Sequence, residues 1–159
     1  MNVGIIKMKN AFIILFGVLL FVQVTYAQES KKITPPSDLV KYFKVKASDL
    51  TVSSIDVTGD GKPEYFVNNK QFCGNRCSTT LYQRKGKKFV VLFEIDTYLD
   101  VDDGWTSGMR NLVTSDWSGE VYLYSHYRWN GQEYIEFKCT EEVRFGKNKG
   151  KIKQVPCNE

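Results

Sequence analysis

The sequence is poor in the groups on which most enzymes rely. It holds one histidine in 159 residues, His126, within Leu123-Tyr124-Ser125-His126-Tyr127 and with no motif around it. No GxSxG nucleophile elbow and no GxxxxGK phosphate loop occurs, and no pair of acids is singled out for glycoside cleavage. These absences argue against catalysis and leave His126 or an acid outside any motif as the footholds of an enzyme reading.

Long apolar runs are missing too. The longest, Ala11 to Val22, has twelve residues, short of the roughly 18 that a membrane-spanning helix needs. Lys7 and Lys9 precede it and Thr25-Tyr26-Ala27 follows, with small residues where a signal peptidase cuts. That is the layout of an export signal. Residues 1–27 are therefore expected to be removed, 28–36 (QESKKITPP) to form a flexible lead-in, and 37–159 to form a single β-rich domain. No cysteine stands beside the run to carry a lipid, so the expected product is periplasmic or secreted without a membrane anchor.

Excision of residues 1–27 removes two lysines and no acid, lowering the formal net charge from +4 to +2. Much of the basic character then sits in the last fifteen residues. A solvated surface with a basic tail explains this better than a nucleic-acid partner does.

Four cysteines, Cys73, Cys77, Cys139 and Cys157, fall in the mature part. An even count in a small exported domain implies disulfides. Of three pairings, Cys73 with Cys77 and Cys139 with Cys157 joins nearest partners, and the second would pin the tail to the strand before it. Zinc is the rival reading, but the spacings match no common finger and thiolates are oxidised in that compartment.

Ser37-Asp38-Leu39-Val40-Lys41-Tyr42-Phe43 places Leu39, Val40 and Phe43 on one helical face behind Ser37 as N-cap, so a two-turn helix is expected. From Thr51 onward β-branched and aromatic runs alternate with turn residues. TVSSIDV, EYFVNN, STTLYQR, KFVVLFEI, RNLVTS, EVYLYSHYRW and QEYIEFK read as about seven strands. Asn130-Gly131 is the strongest hairpin signal, suited to a turn with positive φ at both central residues. Lys85-Gly86, Ser118-Gly119 and Asn148-Lys149-Gly150 are further turns. The expected fold is mainly β, an antiparallel meander of hairpins with one short N-terminal helix. Trp105, Trp117 and Trp129 stand twelve residues apart, but the residues between them do not match, so one aromatic packing beside each turn accounts for them.

The loop DVTGDGKPE, Asp56 to Glu64, carries the one chemical signature. Oxygens at alternate positions followed by a glycine let a chain curl around calcium, a hard cation taking six to eight oxygen ligands. Asp56, Thr58, Asp60 and Glu64 supply side-chain oxygens and Lys62 a carbonyl. Val67 occupies the twelfth position, where a helix–loop–helix site needs an acid, so this is a strand-flanked loop. An Asx-type turn without metal reads the same residues. Asp96, Asp100, Asp102 and Asp103 form a second acidic group, expected in a long solvated loop.

Asp56, Gly59, Asp60, Gly61 and Glu64 make the loop resemble the DxDGDGxxD calcium loops of FG-GAP and VCBS-type β-repeats, with Thr58 replacing the usual Asp or Asn. The resemblance covers about twenty residues and one copy, too little chain for a propeller; it implies calcium at Asp56, Thr58, Asp60, Lys62 and Glu64. More loosely, the order of helix, DxxGDGxxE loop, CGNRC hairpin, GMRNLVTS strand and YRWNGQEYIEF hairpin resembles an uncharacterised group of exported bacterial β-domains. No activity follows from that likeness.

Three functions remain. The first is a non-catalytic exported domain binding a protein, glycan or envelope component through Tyr122, Tyr124, Tyr127, Trp129 and Tyr134, with calcium stiffening one loop. The second is inhibition of a cell-wall hydrolase, because Ser118-Gly119-Glu120-Val121-Tyr122 is similar to the SGxxY loop of periplasmic lysozyme inhibitors. The third is an enzyme without a recognisable motif.

Overall fold

Short glycine turns and alternating side chains fold the chain back on itself repeatedly. The computed structural model describes residues 30–73 and 77–157; the export signal expected at 1–27 lies outside the described residues. The elements are β1 (Lys31–Ile33), α1 (Ser37–Phe43), β2 (Leu50–Ile55), β3 (Glu64–Asn69), β4 (Thr79–Lys85), β5 (Lys88–Ile95), β6 (Tyr98–Thr106), β7 (Met109–Ser118), β8 (Val121–Trp129), β9 (Tyr134–Val143) and β10 (Ile152–Val155). Strands β1 to β5 form one antiparallel sheet and β6 to β10 a second, each in sequence order. The chain changes sheets at Asp96-Thr97.

This is the expected antiparallel meander with its short helix, but ten strands among the described residues replace about seven. Strand β1 lies inside the expected lead-in, where Lys31 pairs with Ser54 and Ile33 with Val52. Three residues with exposed lysines give no periodic signal. Strand β6 replaces the expected acidic loop: Asp100 and Asp102 alternate with Leu99 and Val101, so the acids mark an outward face rather than a break. Strand β10 completes the hairpin that Asn148 to Gly150 suggested.

The helix begins at Ser37, so the N-cap position falls to Pro36 rather than to the expected Ser37, and no side chain caps it. Asp38 instead ties it to the first sheet through Arg84 at 2.7 Å. Lys44 closes it in the left-handed region at φ 55°. The turn after β8 also differs from expectation. Only Gly131 takes positive φ, and Asn130 Oδ1 accepts the amides of Gln132 (2.8 Å) and Glu133 (2.9 Å), which closes a longer loop between Trp129 and Tyr134. The turn with positive φ at both central residues is Ser107-Gly108, between Thr106 and Met109.

Burial sorts the structure into three layers. Leu39 of α1, fully buried, packs with Leu50, Val52, Tyr65, Val67, Tyr82 and Phe89 on one face of the first sheet. Ile55, Phe66 and Leu81 on its opposite face meet Leu99, Met109, Leu112 and Tyr134 of the second sheet. Adjacent residues of one strand serve opposite cores, as Tyr65 and Phe66 do, which the period of two requires. Both expected disulfides are formed, Cys73–Cys77 and Cys139–Cys157, and the second holds β10 beside β9, where Val155 pairs with Cys139.

Leu112→Ala, at a fully buried position between the sheets, is expected to cost about 2–5 kcal/mol in urea unfolding. Val90→Ala, at a position 38% exposed on β5, should stay within about 0.5 kcal/mol. Equal small effects at both positions would contradict the two-sheet core.

Candidate functional site

The loop from Asp56 to Glu64 joins β2 to β3 and is held by its own carboxylates. Asp56 Oδ1 accepts the Gly59 amide at 2.6 Å and the Thr58 hydroxyl at 3.4 Å, and its Oδ2 accepts the Gly61 amide at 2.8 Å. Asp60 accepts the Lys62 amide at 2.8 Å and meets the Lys62 ammonium at 3.4 Å. Glycine is required at position 59 twice over, by its φ of +71° and because an added Cβ would stand 3.2 Å from the Trp105 ring.

Glu64 turns away from this exposed rim. It is 2% exposed, and its Oε2 accepts the Val57 amide at 2.9 Å while Oε1 accepts Gln83 Nε2 at 3.4 Å. Val57, fully buried, in turn accepts the Arg110 amide from β7 at 2.8 Å. The loop thus works as a clasp between the sheets. Burial pushes the Glu64 carboxyl above its ordinary range, aided by the nearby charges of Asp56 and Asp60 and opposed by its two hydrogen bonds. Asp60 moves the other way, chiefly through the Lys62 amide.

Of the sequence-derived ligands, Asp56, Thr58, Asp60 and Lys62 therefore share the rim, whereas Glu64 faces the interior. Among the described residues the acids of this loop do not gather with oxygens within 4.8 Å of one another. The group that does so, Glu136 with Cys139 and Cys157, has both sulfurs in a disulfide.

His126 is not alone. Its Nδ1 lies 2.8 Å from Asp102 Oδ2 and its Nε2 3.4 Å from the hydroxyl of Thr140. The row of residues Asp100, Val113, His126 and Lys138 crosses four strands. Thr140 is buried, at 6% exposure, and its backbone lies in the ladder with Tyr124 and Gln154. The arrangement ties β6 to β8 and β9 across β7.

The second sheet turns its other side outward. Register puts Trp117, Tyr122, Glu142 and Ile152 in one row, and Tyr98, Ser115, Tyr124, Thr140 and Gln154 in the next. Tyr98 is 63% and Trp117 62% exposed. Tyr98, Ser115, Asp116, Trp117, Tyr122 and Arg144 line a cleft of about 560 Å³ at the end of this face. Arg144 lies over the rings of Tyr122 (4.7 Å) and Phe145 (5.0 Å), a cation–π stack. Its Nε, buried there, has no hydrogen-bond partner among the described residues.

Of the five aromatics the sequence offered for recognition, Tyr122 is exposed and reaches the cleft, Tyr124, Tyr127 and Trp129 are half-buried, and Tyr134 is buried. Tyr134 donates to the Arg110 carbonyl at 3.0 Å, and burial followed by the Glu64 charge pushes its phenol well above the ordinary range. Sequence reasoning missed Tyr98, Trp117 and Arg144, because their convergence depends on the register of successive strands and on which face of the sheet is covered. No protein-family model, curated protein or solved structure matches the chain.

The pH response of Glu64 has a definite sign. A raised folded-state value means that the folded protein holds this proton more tightly than the unfolded chain does. Its contribution is largest below the ordinary value of 4.5 and declines as pH rises through the shifted range. Glu64→Gln should flatten that decline between pH 4.5 and neutrality in urea titrations, while keeping an acceptor for Val57. Glu64→Ala, which strands the Val57 amide, is expected to cost about 1–3 kcal/mol. A glutamine variant whose stability falls with pH as the parent's does would refute the clasp.

Proposed function

We propose that this is a non-catalytic exported β-domain that binds a glycan in the cleft beside Tyr98, Trp117, Tyr122 and Arg144. The observation that carries the reading is the asymmetry of the layers: α1 covers the outer face of the first sheet, while the second presents Tyr98 and Trp117 more than half exposed around a cleft. Sugar rings offer apolar C–H faces that stack on aromatic planes and hydroxyls that accept from a guanidinium. Arg144, which lines the cleft and stacks on Tyr122, suits that second task. The two disulfides agree with an oxidising compartment, and among the described residues no helix is long and apolar enough to cross a membrane.

Inhibition of a cell-wall hydrolase is the second reading. Ser118 to Tyr122 forms the β7–β8 turn, with Gly119 at φ +57° and Tyr122 entering the cleft, so the SGxxY segment projects at the rim of the same surface. Calcium belongs to either reading as a stiffener of the Asp56–Glu64 loop. The rim residues Asp56, Thr58, Asp60 and the Lys62 carbonyl would hold it, with Glu64 supporting the loop from inside.

Titration with soluble peptidoglycan fragments and with a glycan array should yield binding that Trp117→Ala and Tyr122→Ala each weaken tenfold or more, as about 2 kcal/mol at a central aromatic implies. Failure of every glycan to bind would reject the first reading. If lysozyme turnover is unchanged by excess protein, the inhibitor reading is rejected. Millimolar calcium is expected to raise the Tm by a few degrees, in line with about 1–2 kcal/mol of linkage, and Asp60→Ala to abolish the rise. Identical melting in calcium and in chelator would reduce the loop to a clasp.

A further inference from the structure

Charge is divided unevenly along the mature chain. Residues 144–158 contain Arg144, Lys147, Lys149, Lys151 and Lys153 and no acid, whereas residues 28–143 carry two more acids than cations. The sequence reads this stretch as a basic, solvated tail with a turn at Asn148-Lys149-Gly150, and in the structure it is a built hairpin. Val143 donates to Lys151 at 3.1 Å, Gly150 to Val143 at 2.8 Å and Lys151 to Asn148 at 3.0 Å. Strand β10 pairs with β9, and Cys139–Cys157 closes the end.

Two large apolar side chains stand out on this cationic hairpin. Phe145 is 59% and Ile152 65% exposed, flanking the lysines on either side of the turn. Of the lysines, Lys153 is paired, with Glu141 at 2.7 Å. Solvation alone accounts for the lysines but not for the exposed phenylalanine and isoleucine that flank them. Cations around a few apolar side chains are the composition that binds an anionic bilayer: the cations seek phosphate headgroups while the apolar groups enter the interface.

We propose that the β9–β10 hairpin docks this domain peripherally on an anionic phospholipid surface through Lys147, Lys149 and Lys151, with Phe145 and Ile152 inserted between headgroups. The acidic remainder of the domain is repelled by the same surface, so the charge asymmetry orients the molecule hairpin-first. Because the hairpin is ordered before contact, little conformational entropy is lost on docking. The inference stands apart from the glycan reading, since Lys147, Lys149, Lys151 and Phe145 do not line the cleft.

The test is sedimentation of the disulfide-bonded protein with vesicles of phosphatidylglycerol mixed into phosphatidylcholine, and with phosphatidylcholine alone. Binding is expected only to the anionic vesicles and should be released when salt is raised from about 0.1 M to about 1 M, where the Debye length shrinks to about 3 Å. Neutralising the three lysines as Lys147→Gln, Lys149→Gln and Lys151→Gln should weaken binding about a hundredfold, at roughly fivefold per cation. Phe145→Ser with Ile152→Ser should weaken it while leaving the melting temperature unchanged. No sedimentation, equal sedimentation with both vesicles, or unchanged binding of the lysine variant would overturn the proposal. So would a serine variant that binds as the parent does while soluble polyphosphate strips both, which would make the hairpin a general polyanion patch.

Discussion

The two sheets are fastened through Val57. Its amide is held by a buried carboxylate from its own sheet, Glu64, and its carbonyl receives the Arg110 amide from the other. A backbone amide without a partner in that position would cost about as much as a lost core methyl group or two, so the β2–β3 loop has little freedom. Asp56 curls the exposed part of the loop over its own amides, and Trp105 from β6 closes over Gly59. Charge buried at Glu64 is tolerated because both its oxygens are occupied, which is the condition for burying a carboxylate.

This fastening decides which sheet face is covered and which is not. With α1 against one face of the first sheet and the second sheet against the other, one broad face is left uncovered among the described residues. Strand pairing gathers on it Tyr98 from β6, Trp117 from β7 and Tyr122 from β8, and brings Arg144, just after β9, against the Tyr122 ring. The pair Asp102–His126 lies on the same face and braces β6, the edge strand, against the centre of the sheet. A histidine that stood alone in the sequence thus acquires an acid partner from a segment that reads as solvated.

Much of the fold is legible in the sequence. The runs EYFVNN and KFVVLFEI coincide with β3 and β5 at both ends, because each is bounded by residues that break a ladder. The disulfide pairing followed from proximity along the chain. Strands β1 and β6 were not legible: the first is three residues long with two lysines, and the second carries aspartates where its outward face meets water. The turn at Asn130-Gly131 was found at its place but not in its geometry, since the asparagine side chain accepts two amides and lengthens the loop.

The candidate site divides along the same line. Composition and spacing determined that Asp56, Thr58, Asp60 and Gly61 form a tight oxygen-rich loop, because hydrogen bonds between residues two to five apart need no other part of the chain. They also determined the class of the fold, since side-chain alternation and glycine turns act locally. Only the tertiary structure decided that Glu64 faces inward, that Val57 joins two sheets, and that Tyr98, Trp117, Tyr122 and Arg144 share a cleft. Burial and convergence depend on which strands lie side by side and which face of each sheet is covered, and those are properties of the whole packed chain.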